Sequence, residues 1–171
     1  DVVSASEMSE AVMSAVGQAD IFIASAAVVD YTPVEIASNK IKKNASQMQL
    51  TLVKTTDILS NVAEQNNRLF CVGFAAETDN LEEYAKDKLE RKSLDMIAAN
   101  WVGRDNGGFN SDHNALSVYW KKGGQEFGNM PKPELARELV TLIAKKYHEK
   151  KCDNYLDRCW EIRLGFKIIC F

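Results

Sequence analysis

An acid and a cluster of cations share one short stretch of the chain. In SAAVVDYTPVEIASNKIKKN, Ser25 to Asn44, the acid Asp30 is followed by Lys40, Lys42 and Lys43. Lysines set so close together can neutralise phosphates and stabilise negative charge that develops in a transition state, provided that their loop can close over the reactants. A solvated charge run is the ordinary fate of such a cluster. Position favours the flap, because these lysines follow directly on the end of an apolar strand pattern. In an open α/β sheet, ligands bind beyond the carboxyl ends of the strands.

Two further groups fall in the same region. Ala24, Ser25 and Ala26 end the strand with side chains small enough for a ligand to approach the backbone N–H groups, and Asp30 can accept hydrogen bonds from sugar hydroxyls or a base. Small residues there would equally let a helix pack close. Lys88 and Lys92 stand four positions apart in NLEEYAKDKLERK and so project from one helix face. They can reach phosphates, or pair with Glu82, Glu83, Asp87 and Glu90 of the same helix, which electrostatics alone would choose. The chain has no GxxxxGK[ST] loop and no GxGxxG turn, and no Ser/His/Asp or Cys/His arrangement is placed by motif. Its two histidines, His113 and His148, are too isolated to suggest a metal site.

Composition narrows the classes. At 171 residues the chain is the size of one ordinary domain, and a net charge of −3 gives no general attraction to nucleic acid or to anionic membrane. No apolar run approaches the roughly 20 residues that span a bilayer, and the start DVVSASEMSE lacks the regions of a signal peptide, so a cytoplasmic location is expected. Cys71 lies alone, while Cys152, Cys159 and Cys170 crowd the end of the chain at spacings that match neither a CxxC metal knuckle nor a distributed disulfide framework.

The elements that must position these groups alternate between helix and strand. SASEMSEAVMSAV reads as a helix opened by a Ser4/Glu7 capping box. DIFIASAAV follows as a strand covered on both faces. TTDILSNVAEQ reads as a short helix capped by Thr55 or Thr56, RLFCVGFAAET as a strand ending near Phe74, NLEEYAKDKLERK as an amphipathic helix, and LDMIAAN as a third buried strand. ALSVYWKKGGQEF alternates as a hairpin or edge pair turning at Gly123-Gly124, and KPELARELVTLIAKKYHEK closes with a helix that buries Leu135, Leu139, Leu142 and Ile143. Alternation of this kind predicts an α/β fold, a Rossmann-like three-layer domain with a mainly parallel sheet, a hairpin-like edge and a lysine-bearing flap. The final segment KCDNYLDRCWEIRLGFKIICF fits either a last strand or an appended, out-of-frame tail. The second is preferred, giving a domain over residues 1–150 and an atypical tail over 151–171. A strand and glycine-rich loop are expected ahead of the first helix.

The ordered succession AAVVDY, NKIKK, GFAAET, a lysine-bearing helix, LDMIAAN and GFNSD resembles the bacterial phosphopantothenoylcysteine synthetase domain of coenzyme A biosynthesis. The resemblance covers about Val2 to Lys150. It implies an enzyme that joins 4′-phosphopantothenate to cysteine at the expense of CTP, through an acyl-cytidylate, with magnesium accompanying the nucleotide and a homodimer formed by paired flaps. Carried over residue by residue, it implies that Ala24, Ser25 and Ala26 line the nucleotide, Asp30 holds its cytidine side, and Lys40 is catalytic. It also implies that Thr56, Asp57, Ile58 and Leu59 form the next nucleotide loop, Phe74 packs on the nucleotide, and Lys88 and Lys92 reach its phosphates. Thr56 stands where the family pattern usually has proline. The family's N-terminal segment, which binds phosphopantothenate and the acyl-cytidylate, has no counterpart in this sequence, and neither does the fused FMN-dependent decarboxylase domain, so the chain is expected to be inactive by itself. Three functions follow as expectations: a CTP-dependent ligase, a nucleotide-binding fragment without catalysis, and, disfavoured by the missing GxGxxG, a dinucleotide-dependent oxidoreductase.

Overall fold

In a computed structural model, which describes residues 1–42, 46–66, 68–102, 111–154 and 167–171, the chain forms one six-stranded sheet, one small two-stranded sheet and four helices among the described residues. The sequence of elements is α1 (Ala5–Val16), β1 (Ile21–Ala24), β2 (Tyr31–Pro33), β3 (Leu52–Lys54), α2 (Ile58–Gln65), β4 (Phe70–Glu77), α3 (Leu81–Arg91), β5 (Met96–Trp101), β6 (His113–Trp120), β7 (Gly123–Pro131), α4 (Lys132–Asn154) and β8 (Ile168–Cys170). The large sheet has the order β7-β6-β5-β4-β1-β8, in which β8, β1, β4 and β5 run parallel and β6 and β7 complete an antiparallel edge.

Side-chain alternation along the strands produces the three layers. In β1, Phe22 faces the layer of α1, α2 and α3, while Ile21 and Ile23 face α4. In β4, Cys71 and Ala75 pack on the first side and Phe70 and Val72 on the second. With both faces covered, the strands read as unbroken apolar runs rather than alternating ones. Val12, Val62 and Ala85 anchor α1, α2 and α3, and Leu135, Leu139, Leu142 and Ile143 form the buried stripe expected for α4, extended by Tyr147. No helix among the described residues is long and apolar enough to cross a membrane.

Ser4 and Glu7 form the expected capping box at α1. At α2 the cap is Asp57, not Thr55 or Thr56: its carboxylate accepts a hydrogen bond from Ser60 N at 3.1 Å, while the Thr55 hydroxyl donates to the Val29 carbonyl. β4 does not end near Phe74 but continues to Glu77, because β5 pairs with it as far as Glu77 opposite Trp101. The hairpin reverses at Lys121 and Lys122, with Trp120 opposite Gly123, so the two glycines belong to β7. A Cβ on Gly124 would lie 2.9 Å from the Tyr119 ring, which explains a glycine within the strand. At the end of the chain, Ile168, Ile169 and Cys170 pair with Ile21, Phe22 and Ile23 of β1 as a parallel edge strand. Only non-local pairing identifies this partner, and no local pattern reports it. Lys43, Gly108 to Asn110 of the GFNSD motif, and residues 155–166 of the last segment lie outside the described residues.

Candidate functional site

β1 ends at Ala24, and the chain then leaves the sheet for the flap, whose base is the antiparallel pair β2–β3. Asp30 sits at the hinge, where its carbonyl accepts a hydrogen bond from Thr55 N at 2.9 Å and so joins the outgoing and returning arms. A cavity of about 250 Å³ opens there, floored by Met8, Val12 and Phe22 and bordered by Ala24, Ala26, Asp30 and the start of α2 from Thr56 to Leu59. A second cavity of about 480 Å³ shares Asp30, Thr55, Asp57, Leu59, Phe74 and Lys92 with the first. Lys54, Lys88, Arg91 and Lys92 line this second space, so a slot with an apolar floor and a polar rim of Asp30, Thr55, Thr56 and Asp57 continues into a basic one.

Geometry decides which partners the helix lysines take. Lys88 and Lys92 continue the stripe of buried Leu81 and Ala85 along α3, and their stems therefore lie toward the sheet rather than toward solvent. The intrahelical pairs favoured from electrostatics alone are not the ones they form. Lys88 pairs with Glu77 at the end of β4, and Lys92 pairs with Asp57 at 2.8 Å. On the outer face, Lys86 pairs with Glu82 at 2.6 Å and Arg91 with Asp87 at 3.5 Å. Asp57 thus caps α2 through one oxygen and binds Lys92 through the other. Partial burial raises its carboxyl pKa, but the hydrogen bonds from Lys92 and Ser60 outweigh that effect and hold it below the usual aspartate range.

The remaining residues singled out from sequence are placed differently. Phe74 lies on the same strand face as Phe70 and Val72, is 36% exposed, and contributes to the walls of both cavities. Ile58 is buried in the core at the start of α2. Ser25 lines neither cavity: its hydroxyl donates to the Phe171 carbonyl at 3.1 Å, and the N–H groups of Ser25 and Ala26 donate to the same oxygen. Lys40 is exposed in the flap between β2 and β3 and lines neither cavity.

Sequence inspection missed Lys54, Glu77, Arg91 and Phe171. Lys54 becomes visible once the flap is given a returning strand, since it stands opposite Tyr31. Glu77 lies within the quoted GFAAET motif and Arg91 within the helix already considered, where the pattern of lysines drew attention away from them. No local signal marks Phe171, which reaches the first cavity through the pairing of β8 with β1.

A mainly parallel sheet covered on both faces, with its cleft beside a strand-to-helix crossover, defines a Rossmann-like α/β domain. The chain belongs to the family described as the DNA/pantothenate metabolism flavoprotein C-terminal domain, whose model matches residues 1–147. It is 47% identical over 152 residues to the coenzyme A biosynthesis bifunctional protein CoaBC of Haemophilus influenzae, covering 87% of this chain and 37% of that protein. The chain therefore spans little more than a third of the length of this curated relative. Among solved structures, the crystal structure of the C-terminal domain of CoaBC superposes with a TM-score of 0.66 at 36% identity, covering 83% of this chain and 62% of the other. A Cab2 variant in complex with phosphopantothenate-cysteine shares the fold with a TM-score of 0.56 at 17% identity, over 77% of this chain and 46% of that one.

Proposed function

We propose that this chain supplies the nucleotide-binding half of a phosphopantothenate–cysteine ligase that uses CTP. The observation that carries the reading is the continuity of a slot with an apolar floor, and with Asp30 and Asp57 on its polar rim, into a cavity lined by Lys54, Lys88, Arg91 and Lys92. A nucleoside triphosphate has the same polarity, a flat base and sugar at one end and concentrated negative charge at the other. In this assignment Asp30 accepts hydrogen bonds from the nucleoside, Ala24 and Ala26 allow it close to the backbone, and the basic cavity takes the phosphates. The carboxylate of 4′-phosphopantothenate attacks the α-phosphorus of CTP, giving an acyl-cytidylate and pyrophosphate. The cysteine amine then attacks the acyl carbon, forming the amide and releasing CMP. Lys40, carried by the flap, moves in to offset the charge that develops on the reacting phosphate.

Among the described residues no group of three or more His, Cys, Asp or Glu is arranged to hold a metal ion. Both oxygens of Asp57 are engaged by Ser60 and Lys92, and Asp30 is assigned to the nucleoside, so a magnesium ion would be carried largely by the phosphates and its own water shell. Such an ion would neutralise charge on the departing pyrophosphate. The flap exposes Val34, Ile36, Ile41, Met48, Leu50 and Leu52, an apolar surface suited to pairing with a second copy in a homodimer. Charged, water-soluble substrates that do not cross a membrane unaided support assigning the reaction to the cytoplasm.

A second reading, nucleotide binding without ligation, is favoured by one observation: the amides of Ser25 and Ala26 are engaged by Phe171. Pyrophosphate release, measured with CTP, phosphopantothenate and cysteine together, separates the two. Release that requires the acid, and that continues beyond one turnover only when the amine is present, supports the ligase. Saturable CTP binding without release supports the fragment.

A further inference from the structure

Resting on the nucleotide-binding reading above, we infer that Glu77 is a positioning residue for the phosphate cavity, acting by fixing the ammonium group of Lys88. Strand parity places Glu77 on the β4 face shared with Cys71 and Ala75, which is the face covered by α2 and α3. Its side chain is only 14% exposed and is bound by Lys88. A carboxylate so far removed from water needs a fixed cation.

For Lys88 the consequence is local order. Its stem has four rotatable carbons, and the ammonium group carries three donors, of which one is used by Glu77. The other donors remain for phosphate oxygens in the cavity that Lys88 lines. An ammonium already held in place loses less side-chain freedom when a ligand arrives, so binding costs less. Lys92 is held in the same way by Asp57, which also caps α2. In the described structure the Glu77 carboxylate serves the Lys88 pair, so substitution at Glu77 isolates positioning from helix capping. Arg91 offers a contrast, being paired loosely on its own helix and 61% exposed.

Calorimetric titration of the full chain with CTP tests the inference. Glu77→Gln keeps the size of the side chain and removes its charge, and it should weaken CTP binding about five- to tenfold, while Glu77→Asp should recover most of the loss. The distinguishing readout is a double-mutant cycle: in a Lys88→Gln background, Glu77→Gln should have no further effect on CTP affinity. Tighter binding by Glu77→Gln would mean that Glu77 competes with phosphate, and unchanged binding that it does not position Lys88; either would overturn the inference. An equal loss in the Lys88→Gln background would assign Glu77 a general structural role and overturn it as well. If the unaltered chain takes up no CTP, the nucleotide-binding reading itself fails. If it binds CTP and Glu77→Gln is indifferent, only the role of Glu77 is lost.

Discussion

Asp57 performs two separable tasks, and Asp57→Asn removes one of them. Asparagine caps a helix about as well as aspartate does, so the hydrogen bond from Ser60 N should survive while the charge pairing with Lys92 is lost. The pair is 2.8 Å apart, with Lys92 22% and Asp57 46% exposed, so water screens it and its net contribution is about 1 kcal/mol. For a domain of this size that corresponds to a fall of roughly 2–4 °C in Tm. Asp57→Ala should cost about 1 kcal/mol more, because the cap is lost too. The pH dependence has a defined sign. The folded-state pKa of Asp57 is lowered, so the contribution is complete above the unfolded value of about 3.9 and disappears as pH falls through the folded-state value. Urea unfolding at pH 7 and again below about pH 4 should therefore show the gap between the unaltered chain and Asp57→Asn closing on acidification. Equal stabilities for the Asn and Ala variants, or a gap that persists in acid, would refute the division of labour.

Three further outcomes are expected. In single-turnover assays with CTP bound beforehand, in the intact ligase, Lys40→Gln should slow amide formation by about a hundredfold or more while changing CTP affinity little, and Lys40→Arg should restore activity only in part. A Lys43→Gln variant that loses as much as Lys40→Gln would reduce the cluster to simple phosphate attraction. Ile36→Asp in the exposed flap should shift sedimentation from dimer to monomer without lowering Tm appreciably, since Ile36 is 89% exposed within one chain. Ile143→Ala, at a fully buried position of α4, should destabilise the domain by about 2–5 kcal/mol in urea unfolding, and a loss below about 1 kcal/mol would contradict the packing of α4 on the sheet.

Much of the framework was legible because local signals and tertiary packing agree. The unbroken run around Ile21–Ala24 and the stripe from Leu135 to Ile143 each report burial directly. Competition between neighbours defeated the sequence at α2, where Thr55, Thr56 and Asp57 could all cap and the choice depends on which side chain is drawn back toward Val29. The ion-pair partners of Lys88 and Lys92 were not legible for a related reason: spacing identifies neighbours on one helix but cannot show that Glu77 and Asp57 approach from other elements. The partner of β8 lay beyond reach because the stability of a parallel edge strand resides in that partner, and β1 is far away along the chain.

The central claim is that the paired cavities accept a cytidine triphosphate, and isothermal titration of the chain with CTP, with NAD titrated in parallel, tests it most directly. The account predicts saturable binding of CTP that weakens as salt is raised, through loss of attraction between phosphates and the cations at Lys54, Lys88, Arg91 and Lys92. NAD should give no saturable heat. Binding of NAD without CTP, or CTP binding that is unchanged when Lys88 and Lys92 are both replaced by Gln, would contradict the account.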